Sequence, residues 1–207
     1  MNANDYVAVG LPVPLSYTGK PGCIGVSDAN GNPVLGTGPG TGSASGALQL
    51  DITSWVTPTG VPHGASAAAG VFGMACTAGT TLSLVTEVAN NNTKTDVALF
   101  EMLVPVGYVA GNPLNITVNA GYTIGSGVLS ASTLTLNSYI ISKDGTQSAN
   151  LVTTSAATIT GTNTDYSFAI TSTNIAAGSR LLIKATIVLT ETSGHNVTAN
   201  INSARVN

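Results

Sequence analysis

Apolar and polar residues alternate along most of the second half of this chain, and the alternation has the two-residue period of half-buried strands. Tyr166, Phe168 and Ile170 are set against Ser167, Ala169 and Thr171, and Leu181, Ile183, Ala185, Ile187 and Leu189 all fall on one face of 181–190. The same rule places strands at 81–88, with Leu82, Leu84 and Val88 inward, and at 133–141, with Leu134, Leu136 and Ile140 inward. A strand at 197–201 turns Val197, Ala199 and Ile201 inward. Turn residues separate them: Asn90-Asn91-Asn92 before the strand at 97–104, Lys143-Asp144-Gly145-Thr146 after 141, and Ala177-Gly178-Ser179 before 181.

The stretch 97–118, V-A-L-F-E-M-L-V-P-V-G-Y-V-A-G-N-P-L-N-I-T-V, is central to this pattern. It reads as a buried strand, a crossing broken by Pro105, Gly107, Gly111 and Pro113, and a second strand from 114, as expected where a chain passes from one sheet of a sandwich to the other. With a further strand at 156–160, eight strands recur at sandwich spacing, and helical periodicity is absent. The strand count and the lack of a Cys, Trp, Cys core favour a jelly-roll-like antiparallel β-sandwich over an immunoglobulin-like one.

Ahead of this body the pattern weakens. Residues 47–56 alternate Leu48, Leu50 and Ile52 with Gln49, Asp51 and Thr53 as a strand would, and 64–76 is a small apolar run, either a short strand from Val71 or a loop under the sandwich. Residues 1–46 are broken by Pro12, Pro14, Pro21 and Pro33 and end in G-T-G-P-G-T-G-S-A-S-G at 36–46, which has almost nothing to bury. An extended arm, ordered against its own sandwich or a neighbouring subunit, is expected there, with a β-sandwich over 47–207. No G-K-[ST] follows these glycines, so they are hinge material and not a phosphate loop.

Composition changes the picture in one respect. Only 7% of the 207 residues are charged against 43% hydrophobic, so surface polarity falls to Thr, Ser and Asn, which suits a chain that covers its surface with other chains. The six basic residues, Lys20, Lys94, Lys143, Arg180, Lys184 and Arg205, are scattered, which argues against nucleic acid and against an anionic membrane as partners. No apolar run is long enough for a spanning helix, and M-N-A-N-D-Y has no signal-like opening, so synthesis in a host cytoplasm is expected.

Candidate chemistry is thin. His63 and His195 lie in P-H-G and G-H-N, which reads as surface or turn histidine; there is no H-E-x-x-H, G-x-S-x-G or C-x-x-C. Cys23 and Cys76 read as small buried residues or as one bridge pinning the arm. Of nine carboxylates, Glu87, Glu101 and Glu191 lie in or beside strands where two could face one cleft, while Asp28 and Asp144 read as turn formers. Sequons at Asn91, Asn115 and Asn196 are expected by chance, and Trp55 with six tyrosines reads as core or interface anchors more than as a sugar platform. No catalytic, cofactor-binding or metal residue is assigned, and no enzyme activity is expected.

Three segments, E-M-L-V-P-V-G-Y-V-A-G-N-P-L-N-I-T-V at 101–118, D-Y-S-F-A-I at 165–170 and A-A-G-S-R-L-L-I-K-A at 176–185, resemble β-sandwich virion proteins of tailed bacteriophages, capsid decoration (cement) proteins in particular. The resemblance spans 80–207. It implies a homotrimer at lattice symmetry axes on the capsid exterior, bound to the major capsid protein and without catalysis. The competing expectation is a glycan- or receptor-binding sandwich of a tail fibre or cell surface.

Overall fold

A computed structural model describes residues 26–27, 33–34, 48–77, 81–126 and 129–207. The chain falls into two compact units, 1–46 and 47–207. In the first, β1 (Val26–Ser27) pairs antiparallel with β2 (Pro33–Val34). The rest of the expected arm, Cys23, and the side chain of Cys76 lie outside the described residues, and with them any statement on a bridge.

The second unit carries β3 (Leu48–Leu50), β4 (Gly73–Thr77), β5 (Thr81–Val85), β6 (Asn92–Leu103), β7 (Leu114–Ile124) and β8 (Leu129–Ile141). The short β9 (Ala157–Thr158) follows, then β10 (Thr164–Ile170), β11 (Arg180–Glu191) and β12 (Val197–Val206). One sheet runs β10-β7-β12-β5-β4, with β3 also paired to β12, and the other runs β6-β11-β8-β9. Every pairing between strands is antiparallel. The eight strands from β5 onward pair as nested partners, β5 with β12, β6 with β11, β7 with β10 and β8 with β9. A long hairpin rolled into two sheets gives this order, which is the jelly roll. The sequence pattern expected this fold and these eight strands.

The core lies between the sheets. Leu181, Ile183, Ala185, Ile187 and Leu189 of β11 are all fully buried, as their alternation requires. Across from them lie Ile116, Val118 and Ala120 of β7 and Ala199 and Ile201 of β12, also inaccessible. The crossing through Pro105 and Pro113 does carry the chain from one sheet to the other, from β6 to β7. It is built from two tight turns, closed by Tyr108 N to Pro105 O at 3.0 Å and Asn112 N to Val109 O at 3.1 Å.

Three local expectations need correction. The strand over 47–56 ends at Leu50, because the Asp51 side chain accepts the Thr53 amide at 2.9 Å and caps a short 3-10 turn at Ile52–Ser54. Pairing resumes only at Val56, which exchanges two 2.8 Å hydrogen bonds with Leu99. The strand over 81–88 ends at Val85: pairing to β12 slips by one residue between Thr86–Ala199 and Ala89–Val197. The slip buries Ala89 and leaves Val88 48% exposed, the reverse of strict alternation. The 64–76 run forms β4 only from Gly73, where the chain segment Ser66–Ala67 lies so close that a Cβ on Gly73 would come within 2.2 Å of the Ala67 nitrogen.

Candidate functional site

The two histidines separate. His195 is a turn residue, as expected, sharing a 2.9 Å hydrogen bond with the Ser126 hydroxyl. His63 is not at the surface: it is 8% exposed, its Nδ1–H donates to the Phe72 carbonyl at 2.7 Å, and its ring stands edge-on to Phe72. The P-H-G context hid this, because the burial comes from β4 and its approach and not from neighbours in sequence.

The three glutamates do not meet in a cleft. Glu191 lies opposite Asn92 at the start of β6, nine residues from Glu101, so about 30 Å of strand separates them. Glu101 holds Arg180 at 2.7 Å on the surface. Glu191 is fully buried; burial pushes its carboxyl up, but the backbone amides of Asn91, Ser193 and His195 and the Ser193 hydroxyl outweigh this and hold it down to about 2. The Asn91 amide lies 2.9 Å and the Gly194 amide 3.0 Å from its Oε2, so Glu191 fastens the turn before β6 to the turn before β12. Asn91 there has φ of 52°, a left-handed conformation that asparagine tolerates.

Glu87 has an acidic neighbour that the sequence reading passed over. Asp96, on the inward face of β6, is fully buried, and its Oδ2 accepts the Glu87 amide at 3.3 Å. Its Oδ1 has no hydrogen-bond partner. Burial, and then the nearby Glu87 charge, push Asp96 up to about 6. The Glu87 carboxylate takes the Lys94 ammonium at 2.7 Å and the Gly70 amide at 2.9 Å, which hold it below the usual range. Glu87 lines a cleft of about 450 Å³ with Ala65, Ala67, Gly73 and Ala75, whereas Asp96 is sealed beneath and touches no solvent. This arrangement makes Asp96 a proton-binding group inside the fold. The signal for it was present in sequence: Asp96 has the inward parity of Ala98 and Phe100. Among the described residues no group of three or more His, Cys, Asp and Glu is placed to hold a metal ion.

Two surfaces of contrasting character remain. The outer face of the β10-β7-β12 sheet is a chain of amides: Asn163 accepts from Asn200, Asn200 donates to Asn202 at 2.6 Å, Asn202 to Asn119 and Asn119 to Asp165 at 2.8 Å. Arg205 closes it on Asp165 at 2.6 Å. Neutral side chains there satisfy one another, which is how so uncharged a chain keeps a polar face. The crossing between β6 and β7 is the opposite. Leu103, the last residue of β6, is 64% exposed, and beyond it Val106 is 93% and Val109 62% exposed on a segment held by the two tight turns and by the Tyr108 hydroxyl on Asn112 O. P-V-G-Y-V-A in the sequence signalled a crossing but not that its apolar side chains face outward.

Trp55, Phe72, Phe100 and Phe168 are in the core, and Tyr108, Tyr122 and Tyr166 pack against it. Tyr139 alone among the described aromatic residues belongs to neither group.

No protein-family model and no curated protein matches the chain. Among solved structures, the xylan-binding CBM22-1 domain of Paenibacillus barcinonensis Xyn10C is 12% identical, with a TM-score of 0.41 over 74% of this chain and 84% of that one. The enzymatically active domain of bacteriophage CBA120 tailspike protein 4 is 12% identical, with a TM-score of 0.39 over 75% of this chain and 19% of that one. Infectious bursal disease virus, Gt strain, gives 17% identity and a TM-score of 0.31 over 60% of this chain and 34% of that one. The chain's own strand order is that of a jelly-roll β-sandwich.

Proposed function

We propose that this chain is a structural virion protein, a decoration protein that sits as a homotrimer on the exterior of a bacteriophage capsid, binds the major capsid protein and stabilises the particle. The observation that carries this reading is the bare apolar crossing, Leu103, Val106 and Val109, on a body with only 7% charged residues. Three large aliphatic side chains on one well-braced segment give a contact that is costly to leave in water and well suited to a protein partner. The Gly- and Pro-rich composition of residues 1–46 supports it in a second way, since a stretch with so little to bury of its own suits contact with a neighbouring chain.

The test is cosedimentation of the purified chain with empty capsids of the virus whose genome encodes it. Saturable binding at a fixed ratio to the major capsid protein is expected. The triple variant Leu103→Ser, Val106→Asn, Val109→Ser should keep its thermal transition, since exposed positions shift stability little, and should bind at least about tenfold more weakly. A chain that stays monomeric at all concentrations and does not sediment with capsids overturns the proposal.

A further inference from the structure

The outer face of the β6-β11-β8 sheet is a trough of about 420 Å³, lined by Pro58, Val97, Leu99, Tyr139, Gln147, Leu182 and Lys184. Its floor is apolar, from Val97 and Leu99 of β6 and Leu182 of β11. Leu182 is opposite Tyr139, and Lys184, two residues on, is opposite Leu99 and Asn137. Tyr139 and Lys184 are thus diagonal neighbours, roughly 7 Å apart at Cβ, on one face. The walls are braced. Pro58 follows the Val56–Leu99 pair of hydrogen bonds, and Gln147 is bridged to Ile141 and followed by Ser148, whose amide donates to Ile140 O at 3.0 Å.

The polar groups at this trough are uncommitted. The Lys184 ammonium is in none of the three ion pairs among the described residues, and the nearest strand carboxylate, Glu101 beside Leu182, is engaged by Arg180. Among the described residues neither the Tyr139 hydroxyl nor the Gln147 side-chain amide is hydrogen-bonded, and Tyr139 is the described aromatic ring that the core does not use. An apolar floor, one free ring, one free amide and one uncompensated cation are the components of a small-ligand site. The flanking strands are closed: β6 by Val56 at Leu99, and β8 by Ser148 and Asn150 from Ser138 to Ile140. A peptide therefore finds no free ladder to extend.

We propose that this trough binds an acidic saccharide, the carboxylate of a uronic acid unit pairing with Lys184 while the apolar face of a sugar ring lies on Tyr139 and a hydroxyl meets Gln147. This goes beyond capsid decoration and uses a different surface from the Leu103–Val109 crossing, so the two readings fail separately.

The test is isothermal titration of the full chain with an oligogalacturonate hexasaccharide, its methyl ester, and poly-glutamate as the peptide control. The acid form should bind and the ester should bind about tenfold more weakly, the usual worth of one charge-assisted hydrogen bond. Lys184→Met should lower affinity for the acid form to that of the ester and leave the ester unchanged, and Tyr139→Ala should weaken both, with unfolding transitions confirming that each variant is folded. The proposal is overturned by no binding of the hexasaccharide, by equal binding of acid and ester, by either variant binding as the parent does, or by poly-glutamate binding as tightly as the hexasaccharide.

Discussion

The single residue with the largest consequence for solution behaviour is Asp96. Its folded carboxyl titrates near 6 against an ordinary 3.8, so the native state holds a proton that the unfolded chain has released. The associated stability is fully present below about pH 4 and is lost as pH rises through 6, by about 3 kcal/mol if the whole shift is expressed. Glu87 and Lys94 are the charged groups that face it, the first raising and the second lowering its pKa. Glu191 works in the opposite direction, its depressed carboxyl contributing stability above its ordinary range that is lost as pH falls toward 2. Asp96→Asn mimics the protonated acid. It should melt above the parent at pH 7.5, and the gap should close by about pH 4; a gap independent of pH would show that Asp96 is not the titrating group. The inward parity of Asp96 was legible in D-V-A-L-F, but its environment was not, since the Glu87 amide reaches it from nine positions upstream. His63 was illegible for the same reason, its burial being set by Phe72.

At the scale of elements, the long strands were readable because each buries one face along its whole length, and β11 shows it residue by residue. What failed were the places where a side chain intervenes in the backbone ladder. Asp51 diverts the chain into a 3-10 turn, and the Thr86 hydroxyl, accepting the Ala199 amide at 2.9 Å, fixes the slip that exchanges Val88 for Ala89. Periodicity carries no sign of either. β4 depends on a different feature, the absence of a side chain at Gly73, which lets Ser66 and Ala67 lie on the strand and the Gly64 carbonyl accept from Met74 at 2.7 Å. Gly73→Ala puts a methyl into backbone that has no flexible end to move. It should destabilise by about 1–3 kcal/mol in urea titration, whereas Gly107→Ala, with nothing within 4 Å, should change little. Equal effects at the two glycines would remove the packing account of this loop.

For the molecule as a whole, the core residues among those described run from Leu50 to Val206, within the 47–207 unit. That unit encloses a core of its own between two sheets, as a body able to fold without residues 1–46 would. That segment was legible only as composition: prolines where strands would need amides, and eleven residues from Gly36 to Gly46 with almost no side chain. If its role is to hold neighbouring subunits, deleting 1–46 should leave the melting transition of the sandwich in place while weakening attachment to capsids. Limited digestion with a broad-specificity protease should cut the free chain first within 36–46, and the same bonds should be protected once the chain is on a particle, because a segment with so little to bury gains order only from contacts made elsewhere. A deletion that unfolds the sandwich would instead place the segment's contribution inside the single chain. Cleavage at equal rates on and off the particle would remove it from the assembly altogether, leaving the crossing at Leu103–Val109 as the attachment surface on its own.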